Sequence, residues 1–554
     1  MKMPKIGVLI VVFTLVCSLS FVFAGGKQEE EATEEVQKEE AEAEAVEETV
    51  LDLHQIQEKK GLTAWNGGLI GWTMADLEQT SVLFDPFLQY DMKLSKVKPN
   101  LAESWEISND ETVYTFKLRE DVLFHDGEKM HADDVVASVH AIAANGKTTA
   151  YADSISQVRG IKDYVEGNAD SIEGVEAIDE FTVRFTLDQP SFGFLWNIAY
   201  MTVLPKHVIW EDIKDNPTLF YQSDFFQKPI GTGPFMIEER RPGDVEELVV
   251  FKDYWKGKPK IDRVNIWNRD VLVLAQEGRL DFKWTKDPAQ IQKLLDTEGM
   301  TGYPVEYPTY KRALWFNMTH PRMQDLRVRK AIGMAINKEE ICEDFFNGFA
   351  APWTAVMSPT YWSNRDLPPV PYDPEQAKQL VEEADFDTSK PLKFVYYYDT
   401  NEARDFVALI QDYLSKVGIK VETRLLEREV GAILHDKTQE WHIAFGARNA
   451  VFPGKLLQQY TTDNPINIPD YSNPEVDKLY EQMINTTDRE KVKELADEIQ
   501  SIIRNDLPSV QLYYTKSYII HREGVNHPVK WTYRYSVPFP IKLHEWELTG
   551  AAAK

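Results

Sequence analysis

Residues 101–142, LAESWEISNDETVYTFKLREDVLFHDGEKMHADDVVASVHAI, place a period-two segment, a turn and a helix start in direct succession. Thr112, Tyr114, Phe116 and Leu118 alternate with Val113, Thr115 and Lys117, which is the pattern of a strand with one face buried and one wet. His125-Asp126-Gly127 then supplies a turn in which the glycine tolerates positive φ. Ala132-Asp133-Asp134 opens the next apolar-periodic run with negative charge, where the N–H groups and dipole of a helix N-terminus favour it. A chain built from such strand-turn-helix units belongs to the α/β class.

The first residues read as an address. Lys2 and Lys5 form a basic start, residues 6–23 are mostly apolar, and Val22-Phe23-Ala24 presents short residues where a signal peptidase reads, so residues 1–24 are expected to be a signal peptide cleaved after Ala24. Two alternatives stay open. An uncleaved anchor is one, because the apolar run approaches the length of a spanning helix. Lipid attachment at Cys17 is the other, although a lipobox wants a small residue before the cysteine and Leu three before it, and Val16 and Thr14 stand there. Residues 25–49, GGKQEEEATEEVQKEEAEAEAVEET, alternate Glu and Ala with almost no large apolar side chain; this composition cannot bury a core and predicts an acidic disordered spacer.

Roughly 500 residues remain, enough for two or three domains with substantial cores. A formal charge of −28 argues against nucleic acid and anionic membrane surfaces as direct partners, since both select basic patches. After cleavage at Ala24 the only cysteine is Cys342, so no intrachain disulfide can form, and its apolar neighbours predict a buried packing thiol. The chain contains no GxSxG elbow, HExxH, Walker loop, GxGxxG or CxxC, which leaves enzyme chemistry by the common motifs, and any cofactor or metal, without support. His125 and His131 lie six apart around a turn, a spacing that suits turn and cap roles better than metal ligation. Paired carboxylates for glycoside hydrolysis would be distant along the chain, so an exported hydrolase stays open as a third reading.

Further segments follow in a recognisable order: residues 174–187 (GVEAIDEFTVRFTL), 229–235 (PIGTGPF), 254–266 (YWKGKPKIDRVNI), 314–341 (LWFNMTHPRMQDLRVRKAIGMAINKEEI), 373–384 (DPEQAKQLVEEA), 471–480 (YSNPEVDKLY) and 507–514 (LPSVQLYY). With residues 101–142 they resemble the family 5 extracytoplasmic solute-binding proteins, the peptide-binding and oligosaccharide-binding receptors of ABC importers. The likeness runs from about residue 84 to 546. It implies a periplasmic-binding-protein-like two-lobed clamp with an additional inserted domain, three domains with mixed sheets in all. Domain I would combine residues 50–83, 203–303 and 521–554, domain II would be residues 84–202, and domain III residues 304–520. The same resemblance implies a monomeric, non-enzymatic periplasmic receptor that closes on its solute and delivers it to the membrane subunits of an ABC permease.

Candidate ligand residues fall in two places. Trp65, Asn66 and Trp72 follow a predicted strand at residues 61–65 in a glycine-rich setting, where flat rings can stack on sugar faces or clamp a peptide backbone. In the family's peptide-binding members, the stretch corresponding to residues 441–460 carries an aspartate for the ligand's α-ammonium group. Here it reads WHIAFGARNAVFPGKLLQQY, with no Asp or Glu before Asp463. Trp441, Arg448 and Asn449 are the candidates it offers, and an Arg with an Asn suits hydroxyls or a carboxylate better than a cation. Peptide transport is the leading class on the resemblance, and oligosaccharide stays open beside it.

Overall fold

A computed structural model describes residues 48–54, 82–91, 94–145, 155–213, 223–305, 311–358, 360–427, 429–435, 441–448, 450, 452–528 and 542–552. The signal peptide with Cys17, the spacer up to residue 47, the strand predicted at 61–65, and the candidates Trp65, Asn66, Trp72 and Asn449 lie outside the described residues.

Among the described residues, three sheets of four or more strands organise the chain, beside two two-stranded ones. The largest has seven strands in the order Met300–Pro304, Tyr518–Arg522, Phe282–Thr285, Val50–His54, Arg263–Trp267, Val245–Val250 and Phe235–Arg241. Val50–His54 runs parallel to both of its neighbours while the remaining pairs are antiparallel, so three distant stretches of sequence share one mixed sheet. Leu51 and Leu53 point into the core. Asp52 between them accepts from Asn265 Nδ2 at 2.9 Å and Trp267 Nε1 at 2.7 Å, which satisfies a carboxylate in mid-strand.

The second sheet is antiparallel, in the order Ala102–Ile107, Val113–Leu118, Thr182–Thr186 and Val175–Asp179. Tyr114, Phe116 and Leu118 are fully buried, as the alternation in that segment predicts. The helix Ala132–Ala144 follows the His125-Asp126-Gly127 turn. Asp134 accepts from the His131 backbone N–H at 2.7 Å and thereby closes the first turn. His125 serves the neighbouring turn. Its Nδ1 accepts from Gly231 N–H at 3.2 Å and its Nε2 lies 3.1 Å from Gly233 O, so the ring is neutral with the proton on Nε2. Burial pulls its pKa down to about 4. Both glycines are needed because a Cβ on either would collide with backbone at Leu83.

The third sheet has six strands, ordered Ala350–Pro352, Ser509–Thr515, Lys311–Phe316, Ile443–Gly446, Leu392–Tyr396 and Val421–Leu425. Its helices Leu326–Met334, Pro374–Glu383 and Asn401–Lys416 bury one apolar face each. Cys342 is buried here, and that burial pushes its thiol up to about 12. The helices Pro474–Ile484 and Arg489–Asp506 pack on each other and turn their apolar residues into the core shared with the second sheet. Among the described residues no helix is long and apolar enough to cross a membrane.

Candidate functional site

Three strands of the third sheet, Ile443–Gly446, Leu392–Tyr396 and Val421–Leu425, run parallel and end on the same edge. In open α/β sheets the crevice beyond the carboxyl ends of the strands is where ligands bind. Tyr397 and Tyr398 leave the end of one strand and Ala447 and Arg448 the end of another. The antiparallel strand Lys311–Phe316 brings its first residues to this edge, with Ala313 opposite Gly446.

The edge is tightly built. The Tyr397 and Tyr398 rings lie 4.5 Å apart, and the Arg312 guanidinium sits 4.6 Å over the Tyr398 ring. Tyr397 Oη accepts from Ala447 N–H at 3.2 Å, which fixes the chain just before Arg448. Gly446 admits this arrangement, since a Cβ there would strike the Trp315 ring and the Tyr397 hydroxyl.

Behind it runs a buried polar chain. Lys311 Nζ donates to Val356 O and, at 3.4 Å, to Gln511 Oε1; Gln511 Nε2 donates to Ser509 Oγ at 3.0 Å, and Ser509 Oγ meets Tyr460 Oη at 2.9 Å. Complete burial lowers the Lys311 ammonium to about 7 and raises the Tyr460 phenol to about 12. Arg448 lies beside Tyr460 and Tyr397; burial lowers its pKa while the two phenols oppose the shift. Carboxylates stand at the same strand ends, Asp399 paired with Arg404 and Glu427 following Val421–Leu425, but none pairs with Arg448 among the described residues, and its half-buried guanidinium beside two phenols can hold an anion or a hydroxylated group.

Of the sequence candidates, Arg448 stands on this edge. Trp441 does not join it. It precedes the opposite end of Ile443–Gly446, is 2 % exposed, and packs with Trp315, Val395, Leu426 and Ala444, so the ring braces the sheet. Its carbonyl accepts from Asn317 Nδ2 at 3.0 Å. Lys311 and Tyr460 escape sequence reasoning because their partners are distant in the chain. The usable signal was a Lys-Arg pair opening an otherwise apolar strand, KRALWF.

The comparisons with known proteins agree with this architecture. The family model for bacterial extracellular solute-binding proteins, family 5 (Middle), matches residues 96–468. The di/tripeptide-binding protein 1 of Pseudomonas aeruginosa is 27 % identical over 476 residues, covering 80 % of this chain and 85 % of that protein. The glutathione-binding protein GsiB of Shigella flexneri is 26 % identical over 455 residues, covering 79 % and 84 %. The crystal structure of the ABC transporter substrate-binding protein CtaP from Listeria monocytogenes superimposes with a TM-score of 0.76 at 24 % identity, over 90 % of this chain and 99 % of that one. The fold is thus the two-lobed α/β clamp of extracellular binding proteins, and the chain belongs to family 5 of the bacterial extracellular solute-binding proteins.

Proposed function

We propose that this protein is an exported, non-enzymatic receptor that captures a short peptide between its lobes and hands it to the membrane subunits of an ABC importer. The observation that carries the reading is the half-buried guanidinium of Arg448, which lies beside Tyr397 and Tyr460 and has no carboxylate partner among the described residues. Every free peptide ends in a carboxylate, and a planar guanidinium beside two phenols matches that group in charge and shape. Relatives named for di- and tripeptides and for glutathione support the same class. Arg448 is the residue assigned to the ligand carboxylate, with Asn449 beside it in sequence; Trp65, Asn66 and Trp72 remain candidates for ligand contact. The proposed domain layout is residues 50–83, 203–303 and 521–554, with 84–202 inserted and 304–520 as the second lobe; the separate sheets support it, although the large-sheet strands Met300–Pro304 and Tyr518–Arg522 run across two of these boundaries. Cleavage after Ala24 and a monomeric receptor complete the proposal.

The test is a thermal-shift screen of di- and tripeptides on the mature protein, followed by mass analysis of the ligand after overnight incubation. A bound peptide adds RT ln(1 + [L]/Kd) to stability, so the melting temperature should climb with peptide concentration and the peptide should return intact. Hydrolysed peptide, or a shift with oligosaccharides alone, would overturn the reading.

A further inference from the structure

The strand Ser509–Thr515 of the third sheet and the strand Tyr518–Arg522 of the large sheet are joined by Lys516 and Ser517 alone. A second crossover leaves the large-sheet strand Met300–Pro304 at Val305 and enters the third sheet at Lys311–Phe316. Val305 N–H donates to Ser517 O at 2.8 Å, which ties the two crossovers together. A rotation of one sheet against the other has to be absorbed at these few residues. A turn that precedes the third-sheet strand Ala350–Pro352 grips this joint. Asn347 and Gly348 both have positive φ, 48° and 77°, the region that Asn and Gly tolerate best, and Phe349 N–H closes the turn on Phe346 O at 2.8 Å. The turn sends its two rings into different cores. Phe346 is buried with Phe406 and Tyr513 in the core of the third sheet. Phe349 packs instead against the apolar cluster on the large sheet that holds Trp267, Leu274, Leu294 and Ile520, with its ring 5.6 Å from that of Tyr518. The same turn holds the joint's backbone: Lys516 N–H donates to Phe349 O at 2.8 Å and Lys516 Nζ to Gly348 O at 2.8 Å.

We propose that the turn of residues 346–349 is a brake on the hinge. Phe349, seated in the large-sheet cluster, stabilises the setting of the lobes seen here, in which Trp362 is fully buried against the second sheet, and so sets the fraction of unliganded protein that is already competent to hold a solute. Opening the lobes turns Lys516 and Ser517 and draws Phe349 away from Tyr518. Because the brake acts on the equilibrium and not on the solute, removing it divides the affinity for every ligand by the same factor. The inference concerns the lobes and goes beyond the peptide reading, whichever solute binds.

Small-angle scattering and calorimetry on the mature protein test it. Phe349→Ala should raise the unliganded radius of gyration, whereas Phe349→Leu, which keeps an apolar group in the cluster, should stay near wild type. With a tripeptide that shifts the melting temperature, Phe349→Ala should weaken the free acid and the C-terminal amide alike, by about threefold to tenfold, and the saturated variant should return to the liganded wild-type radius. Lys516→Met removes the exposed tie to Gly348 O and should give a smaller rise in radius; it carries the test if Phe349→Ala fails to fold. An unliganded radius that stays at the wild-type value in every variant that folds would overturn the brake. Weakened binding with an unchanged radius would overturn it too, since Phe349 would then act at the solute itself. If no peptide binds, the peptide reading falls and the unliganded radii still decide the brake.

Discussion

The sheet of residues 102–186 has two seams, and they are built on different physics. Against the large sheet it is joined by charge and by close backbone approach. Asp85 accepts from Lys256 Nζ at 2.7 Å, Trp255 Nε1 at 2.8 Å and Tyr254 Oη at 3.1 Å, and Lys256 continues to Asn100 Oδ1 at 2.9 Å. His125 stitches the same region to Gly231 and Gly233. Against the C-terminal lobe the contact is mostly aromatic. The Trp362 ring lies 5.5 Å from Phe192 and 5.9 Å from Trp196, and Trp196 stacks on Phe452 at 6.0 Å. Among the described residues few hydrogen bonds cross it: Trp362 Nε1 to Leu94 O at 2.8 Å, Phe192 N–H to Ile484 O at 3.1 Å, and Thr487 to Glu111. The voids differ likewise, 160 Å³ at the first seam and 370 Å³ at the second. Directional, buried bonds must break one by one, so the first seam holds the two sheets as a single body. Apolar faces with sparse bonds can part and re-form as units, which is what a closing clamp requires.

Substitution separates the two seams by what is lost. Asp85→Ala removes the shared acceptor, leaving two aromatic donors unmatched and Lys256 with Asn100 alone, so unfolding in urea should show a loss of about 3–5 kcal/mol; a cost below 1 kcal/mol would deny that the seam is welded. Phe192→Ala, at the aromatic seam, should cost less in global stability, about 1–2 kcal/mol by lost burial. It should also enlarge the unliganded radius of gyration in small-angle scattering and weaken ligand. An unchanged radius with unchanged affinity would make that seam static. Acid sharpens the first seam. His125 has a folded pKa near 4 against an ordinary 6.5, so the unfolded chain binds the proton first and stability falls as pH drops from about 6.5 to 4. That fall should be shallower in His125→Asn, measured by urea midpoints across the window. The smallest effect is expected for Glu111→Gln, about 0.5–1 kcal/mol from weakening the bonds to Thr487, read as faster ligand release.

Much of the fold could be read from local pattern. The strand Val113–Leu118, the helix from Ala132 and the buried Cys342 follow from periodicity and turn chemistry within a few residues, while the hairpin Val175–Asp179 with Thr182–Thr186 lies in a segment known only by family resemblance. The strand Val50–His54 was harder, since it follows an acidic spacer and carries Asp52 at its centre. Its partners Asn265 and Trp267 lie more than 200 residues away, and only they make that carboxylate tolerable. The site divides in the same way. Arg448 is a candidate because residues 441–460 carry no Asp or Glu, and it stands at the carboxyl edge of the sheet. Lys311 and Tyr460 were not candidates, because their burial is created by strands Lys311–Phe316 and Ser509–Thr515 meeting from distant parts of the chain. Trp441 looked like a ligand ring beside a polar segment, but the strand between it and Arg448 carries it to the far end of the sheet.

Arg448, at the carboxyl edge of the third sheet, is proposed to receive the carboxylate of a peptide, and a two-by-two calorimetric cycle tests this directly. A tripeptide that shifts the melting temperature is titrated as the free acid and as its C-terminal amide, into the wild-type protein and into Arg448→Ala. Wild-type protein should favour the free acid by about 1–3 kcal/mol, and Arg448→Ala should erase most of that difference while binding the amide about as well as wild type does. Equal binding of acid and amide by the wild-type protein, or a preference for the acid that survives in Arg448→Ala, would contradict the account.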